Sequence, residues 1–256
     1  MARNRTLIDC YTDEPAGLGV PPYLGVWPRY AAGQGRRVPA YLTIDDLRLA
    51  PQRSAPAVDP PTGKTRIALV NHTRPPREVR AILAKTDQFL VIAGVQTPGR
   101  YLRAKPGTLR EATRLLRPYK ATRILLGPAA VCGTQVRGGA AVEQPAQGAF
   151  DELRPFGDQP YEALQPWALA GAEIIRQIPH PRIVEIETGR GCTRRPGCSF
   201  CTEPIKTASA VWRPAAAVIE EVRRLRALGA AHFRLGKQSC IYSYHDGDPQ
   251  ALATLL

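Results

Sequence analysis

The feature that most constrains the fold is a regular alternation between short apolar runs and amphipathic helical stretches. Gln88–Val95 (QFLVIAGV) is continuously apolar between turn residues, as expected for a strand that is buried on both faces of a parallel sheet. In the Thr108–Tyr119 stretch the apolar residues return with helical spacing, and Arg123–Leu126 (RILL) is another short apolar run. Strands that alternate with helices over short connections predict an α/β fold with right-handed crossovers.

The same alternation extends over the first 180 residues. Further strands are expected at Thr6–Cys10, Tyr41–Ile44 and Val142–Gln144, and further helices at Ile44–Leu49 and Arg77–Lys85. We therefore predict a first domain, residues 1–180, that contains a Rossmann-like or flavodoxin-like parallel sheet and ends in an irregular connector.

The second part of the chain, residues 181–256, begins with the strand-like run Arg182–Glu187 (RIVEIE). A helix from Pro214 to about Leu228 follows, and then a strand at Ala231–Leu235. This strand–helix–strand unit fits the first units of a TIM-like (β/α)6 barrel, which needs on the order of 200 residues. We therefore expect residues 181–256 to form only part of a barrel, which further chain or a partner chain completes.

Three cysteines follow the first strand of this unit directly. Cys192, Cys198 and Cys201 have the spacing C-x5-C-x2-C, which allows three thiolates to converge on an iron–sulfur cluster or a zinc ion. A structural zinc site would need a fourth protein ligand, and no Cys or His stands nearby at a finger-like spacing. Three thiolates with one open coordination position favour a catalytic centre. Their clustering also indicates a reducing compartment.

The cysteine loop resembles that of the radical S-adenosylmethionine (radical SAM) superfamily. In that family three cysteines follow the first barrel strand, and an aromatic residue precedes the last cysteine. The resemblance implies that Cys192, Cys198 and Cys201 hold a 4Fe–4S cluster and that Phe200 packs near the adenine of SAM. The commonest spacing in the family is C-x3-C-x2-C, so the first gap is two residues longer here.

The resemblance also implies a reaction. A reduced 4Fe–4S cluster would cleave SAM to methionine and a 5′-deoxyadenosyl radical that takes hydrogen from the substrate, with an electron donor such as ferredoxin or flavodoxin. The family binds the SAM amino group with a glycine-rich segment after the second strand. Gly236 and Gln238 occupy that place here, without the usual Gly-Gly-Glu.

Several radical SAM subfamilies carry a cobalamin-binding domain ahead of the barrel, and the domain order here is similar. The resemblance therefore allows cobalamin in residues 1–180, with methyl transfer as the outcome. The cobalamin signature Asp-x-His-x-x-Gly is absent, because Cys10 and Tyr11 follow Asp9. Gly94 and Gly127 follow predicted strands, where either a ligand or an ordinary turn is expected.

The charge of the chain leaves a different function open. Lys and Arg total 35 against 22 Asp and Glu, which gives a formal charge of +13. Such a balance suits a polyanionic partner, although scattered arginine also fits base-composition bias. The alternative function is therefore a non-enzymatic nucleic-acid-binding module that carries zinc or an iron–sulfur cluster. No apolar run of about 18 residues and no signal peptide is present, so we predict a cytoplasmic protein without membrane contact.

Overall fold

A computed structural model describes most of the chain. It covers residues 3–10, 23–51, 74–94, 106–136, 141–155, 159–179, 183–194, 207 and 209–256. The strands are β1 (Arg5–Asp9), β2 (Tyr23–Leu24), β3 (Ala40–Thr43), β4 (Gln88–Ile92), β5 (Thr122–Leu126), β6 (Thr134–Val136), β7 (Ala141–Glu143), β8 (Glu152–Arg154), β9 (Ile183–Glu187), β10 (Gly189–Arg190), β11 (Val211–Trp212) and β12 (Phe233–Gly236).

The helices follow the strands as the alternation predicts. They are α1 (Val26–Gly33), α2 (Ile44–Leu49), α3 (Pro76–Ala84), α4 (Leu109–Leu116), α5 (Ala129–Cys132), α6 (Tyr161–Gly171), α7 (Ala215–Ala227) and α8 (Pro249–Leu255), with 3₁₀ segments at Ala172–Gln177 and Ile241–Gly247. None of these helices is long and apolar enough to cross a membrane.

The larger sheet has five parallel strands in the order β3-β1-β4-β5-β8. Numbered along the chain within this sheet, the order is 2-1-3-4-5, which is the flavodoxin-like arrangement. The predicted Rossmann-like α/β fold is therefore confirmed. The fifth strand, β8, was not predicted, because its three residues are mostly exposed and form no apolar run. The strand predicted at Val142–Gln144 corresponds to β7, which pairs with β6 outside this sheet.

The smaller sheet has three parallel strands in the order β12-β9-β2. The strands predicted at 182–187 and 231–235 correspond to β9 and β12, with Gly236 opposite Glu187. The third strand, β2, comes from the N-terminal part of the chain and pairs with Ile183 and Val184 of β9. The predicted domain boundary at residue 180 therefore lies between β2 and β9 in the sequence, although these two strands pair in one sheet. The boundary stays a prediction.

Helices α1 and α6 lie between the two sheets. The buried residues of α1 pack against one face of the larger sheet and against the apolar face of the smaller one, so that a single core joins the two sheets. Its members include Leu7 and Ile92 on one side and Val184 and Ile186 on the other. Helices α2, α3, α4 and α5 cover the opposite face of the larger sheet with a second apolar core. The carboxyl end of β9 is therefore held by packing from both parts of the chain.

Candidate metal centre and its buried charges

Cys192 lies at the carboxyl end of the central strand of the smaller sheet. After β9 the chain forms β10, which pairs with β11, and then turns at Gly191. Gly191 has φ of +80°, and a Cβ there would overlap the carbonyl oxygen of Ser209, so the turn requires glycine. Cys192 is buried, and the backbone N–H of Arg194 donates to its Sγ at 3.4 Å.

The remaining predicted ligands cannot be placed in the same way. Cys198, Phe200 and Cys201 lie outside the described residues, so their positions stay predictions. Within the described ranges, no group of three or more His, Cys, Asp and Glu side chains is arranged to hold a metal ion. Cys192 lies where the cysteine loop begins, and its role as a ligand stays a prediction.

Gly236 and Gln238, the predicted SAM contacts, lie at the same edge of the sheet. The hydroxyl of Thr188 donates to Oε1 of Gln238 at 2.6 Å, and the Thr188 N–H donates to the Gly236 carbonyl at 3.3 Å. A Cβ on Gly236 would lie 3.0 Å from Oε1 of Glu185. The two residues are thus fixed beside the strand that leads to Cys192, while their contact with SAM stays a prediction.

The smaller sheet carries a charged face that the sequence analysis did not identify as a site. Glu185 and Glu187 alternate with the buried Val184 and Ile186, and Arg234 lies opposite Glu185 in the register. The Nη2 of Arg234 is 3.5 Å from Oε1 of Glu185, and the Nζ of Lys237 is 3.8 Å from its Oε2. The alternation of charged and apolar residues in Arg182–Glu187 (RIVEIE) could have predicted this charged face, because residues two apart on a strand lie on the same side of the sheet.

Glu187 is a buried carboxyl group at the end of β9. The hydroxyl of Tyr30 donates to its Oε2 at 2.6 Å. Burial raises the pKa of Glu187, although the positive charges of Arg190 and Lys237 act in the opposite direction. The guanidinium of Arg190 also stacks over the Tyr161 ring, 4.6 Å from its centroid. Glu187 is thus a buried carboxyl group that keeps its proton to a higher pH than an exposed glutamate does.

A buried Arg–Glu–Arg triad holds the backbone of β9. Glu221 forms ion pairs with Arg29, Nε to Oε1 at 2.8 Å, and with Arg213, Nη1 to Oε2 at 2.5 Å, and all three side chains are at most 1% exposed. Arg29 also donates to the Glu185 carbonyl at 2.6 Å, and Arg213 to the Glu187 carbonyl at 3.3 Å. Although burial alone would raise it, the two arginines lower the pKa of Glu221. The triad fixes the strand that positions Cys192.

An exposed thiol lies on the same edge, after β12. Hydrogen bonds from Ser243 and from the Tyr242 backbone lower the pKa of Cys240, and the charge of Arg194 adds to this effect. Cys240 follows β12 and Cys192 follows β9, and the carboxyl ends of these paired parallel strands lie at the same edge of the smaller sheet. Sequence spacing could not show this, because the shared edge arises from the pairing of β9 with β12.

The carboxyl edge of the larger sheet is packed by the chain itself. The hydroxyl of Tyr41 donates to Oδ2 of the buried Asp9 at 2.9 Å, and the N–H of Gly107 donates to the Cys10 carbonyl at 2.9 Å. A Cβ on Gly107 would lie 2.8 Å from Cγ1 of Ile44 and 3.0 Å from Cβ of Cys10. Burial raises the pKa of the Cys10 thiol. Among the described residues at this edge, the packing does not support a cobalamin site.

The glycines predicted at this edge follow strands as expected. Gly94 and Gly127 both have positive φ, +81° and +77°. A Cβ on Gly94 would lie 2.7 Å from the backbone nitrogen of Ala129, so this turn packs directly against α5. Their geometry is that of tight strand–helix turns.

Comparison with known proteins gives partial matches. No protein-family model matches the chain, and no solved structure matches it. An uncharacterized protein of Methanocaldococcus jannaschii is 34% identical in an alignment of 276 positions that covers 95% of this chain and 46% of that protein. An uncharacterized protein of Archaeoglobus fulgidus is 33% identical in an alignment of 257 positions that covers 93% of this chain and 41% of that protein. The chain thus spans less than half the length of both relatives.

A third relative has a named activity. The tRNA-2-methylthio-N(6)-dimethylallyladenosine synthase of Chloroflexus aurantiacus is 33% identical over 159 residues, which is 59% of this chain and 32% of that protein. The chain therefore shares sequence with part of an enzyme that is named for a tRNA modification.

Proposed function

We propose that the chain is a radical SAM enzyme or a part of one. The observation that carries the proposal is the placement of Cys192, a buried thiol at the carboxyl end of the central strand of a parallel sheet. This is the end at which parallel α/β folds bind their ligands. The bound 4Fe–4S cluster and SAM would supply one-electron cleavage of a sulfur–carbon bond.

The residues of the chain would bind and orient these groups. Cys192, Cys198 and Cys201 would hold the cluster, and three ligands would leave one iron open for SAM. Thr188 fixes Gln238 at the neighbouring strand end, where the amino acid part of SAM would lie. Phe200 would pack near the adenine and exclude water from it.

We further propose RNA as the substrate class. The Chloroflexus aurantiacus relative is named for a methylthio group on an adenosine of tRNA. Placing such a group on a purine carbon replaces a C–H bond, a type of reaction for which radical chemistry is suited. The positive charge of this chain, +13, is compatible with a polyanionic substrate.

Anaerobic reconstitution with iron and sulfide tests the metal centre. We expect a broad absorbance at about 400 nm and about four irons per chain. Cys192→Ala, Cys198→Ala and Cys201→Ala should each abolish both signals. Cys132→Ala is the matched control, because this free thiol lies on α5 at the larger sheet and should leave iron uptake unchanged. Tight zinc binding without iron uptake would contradict the proposal.

The position of Cys240 makes a sharper test against a structural zinc site. A four-cysteine zinc site built from the loop and Cys240 would lose its metal in Cys240→Ala. A three-cysteine cluster with an open iron should keep its iron in this variant.

The alternative function, a nucleic-acid-binding module without catalysis, predicts no SAM cleavage by the reconstituted and dithionite-reduced chain. Release of methionine and 5′-deoxyadenosine under these conditions would exclude that module.

A further inference from the structure

The amino edge of the larger sheet, opposite to the edge where ligands are expected, carries a cluster of cations. Two carboxylates also lie at this edge, Asp87 and Asp151, which accept hydrogen bonds from the backbone N–H groups of Asn4 and Arg123. A cavity of about 310 Å³ opens there between the starts of β1 and β3 and the end of α3. Four of its lining residues are cations, Arg3, Arg5, Arg37 and Lys85, and no carboxylate is among the described residues that line it. Arg5 is held in place because its Nη2 donates to the Arg37 carbonyl at 2.6 Å.

The solvent-facing side of α4 extends this basic edge. Arg110, Arg114 and Arg117, which we call the arginine stripe, are exposed and lie at helical spacing opposite the buried face of the helix. Within the described part of the chain, none of the three forms an ion pair. Glu111, the acidic residue of α4, is bound instead by Arg48, whose Nε and Nη2 lie 2.9 and 2.7 Å from its carboxylate oxygens.

The cavity and the arginine stripe belong to one surface. Lys85 precedes β4 and Lys120 precedes β5, and these strands are neighbours with Gln88 opposite Thr122. Adjacent strands are about 4.8 Å apart, so the two lysines bridge the cavity and the stripe. The stripe itself spans about 10 Å along the helix, and the sheet edge from β3 to β5 spans about 14 Å.

This spacing identifies the kind of ligand. A single small anion would contact only one end of the surface, whereas a chain of phosphates would contact its whole length. An anionic membrane would need several apolar side chains to insert. Among the described residues, Val38 is the one exposed large apolar residue that lines the cavity, and none lies on α3 or α4. We infer that the amino edge of the larger sheet binds the phosphate backbone of RNA. The choice of RNA over other polynucleotides rests on the proposed function.

The test compares two pairs of arginines that match in spacing and exposure. Arg114→Glu/Arg117→Glu changes the stripe, and Arg223→Glu/Arg226→Glu changes two exposed residues of α7 with the same separation and the same change in net charge. Binding of a short fluorescent RNA to the full chain is measured by anisotropy at several salt concentrations. The stripe variant should bind about tenfold or more weakly, with a salt slope reduced by about 1–2, while the α7 variant keeps its affinity.

Lys85→Glu examines the cavity end of the surface and should also weaken RNA binding. Equal losses in the stripe and α7 variants would show that only net charge matters, and would overturn the inference. DNA of the same sequence or anionic vesicles that bind as tightly as RNA, with the same loss in the stripe variant, would also overturn it. The assay is run with and without reconstituted metal, because RNA binding at this edge does not require the cluster. Failure of the metal centre is therefore distinguishable from failure of the RNA surface.

Discussion

The two sheets of the molecule differ in what their faces carry. In the larger sheet, successive residues of the central strands enter two apolar cores, as Leu90 and Val91 do on β4. In the smaller sheet, one face of β9 is apolar and the other carries Glu185 and Glu187. Because buried charges are costly to desolvate, a sheet that keeps them needs partners for each one. The comparison indicates that the larger sheet is built for stability and the smaller one for positioning a site.

The largest expected effect comes from breaking the triad beneath the smaller sheet. Glu221→Leu would leave the guanidinium groups of Arg29 and Arg213 buried without their carboxylate. Removing one partner of a buried ion pair costs about 3–5 kcal/mol of folding free energy. Urea unfolding followed by circular dichroism measures this loss. A loss below about 1 kcal/mol would mean that water reaches the triad, contrary to its burial.

An all-apolar triad sharpens the same comparison. Buried ion pairs are often replaced by well-packed apolar residues with little loss of stability. Arg29→Met/Arg213→Met/Glu221→Leu should therefore recover much of the stability that Glu221→Leu loses. It should still take up less iron on reconstitution, because Arg29 and Arg213 no longer hold the carbonyls of Glu185 and Glu187. Full iron uptake by this variant would show that the triad has no positioning role.

The matched change in the larger sheet is Leu126→Ala. Leu126 is fully buried on β5, and the substitution removes apolar contacts and leaves a cavity, at a cost of about 2–5 kcal/mol. No titrating group is involved, so the difference in free energy of unfolding between variant and parent should be the same at pH 5 and pH 8. A difference that changes with pH would show that titrating groups also stabilise the core around Leu126. The contrast between an apolar larger sheet and a charged smaller sheet would then fail. The same urea experiment at two pH values decides this.

Two buried carboxyl groups at the smaller sheet, Glu187 of β9 and Glu221 of the adjacent helix α7, predict opposite pH dependences. The raised pKa of Glu187 means that the folded chain holds this proton more tightly than the unfolded chain does. Its contribution to stability is therefore present at low pH and is lost as pH rises through the folded pKa. Glu221 has a lowered pKa, so its contribution to the free energy of unfolding is present above the unfolded-state pKa. That contribution is lost as pH falls through the lower pKa of the folded state. Glu187→Gln should flatten the decline in stability above pH 4.5, the ordinary Glu value.

The measurement is the free energy of unfolding of parent and Glu187→Gln at several pH values. The charges that face Glu187 come from Arg190, Arg213 and Lys237, and the hydroxyls of Tyr30 and Tyr161 lie near it. The two chains differ only at residue 187, so the difference between the curves reports this carboxyl group. Parallel curves would show that Glu187 titrates as an ordinary exposed residue.

The sequence predicts the larger sheet better than the smaller one. The strand at Gln88–Val95 was predicted because burial on both faces leaves a continuous apolar run, and the observed strand is Gln88–Ile92. By contrast, β2 has two residues, and its place beside β9 depends on tertiary pairing that no local pattern encodes. Cys192 was identified as a candidate ligand from spacing within one loop, and that role stays a prediction. Arg29 and Glu221 are 192 residues apart in the chain, so only the fold brings them together.

The smallest expected effect lies on the exposed side of α7, only one turn from the triad. Arg224 pairs with Glu173 at 2.5 Å, but the two side chains are 43% and 30% exposed. Water screens such a pair, so Arg224→Ala should change the free energy of unfolding by less than about 0.5 kcal/mol. Glu221 and Arg224 lie on the same helix and both form ion pairs, so burial is the main difference between them. If Arg224→Ala destabilised the chain as much as Glu221→Leu, the contrast between buried and exposed charges at this sheet would fail.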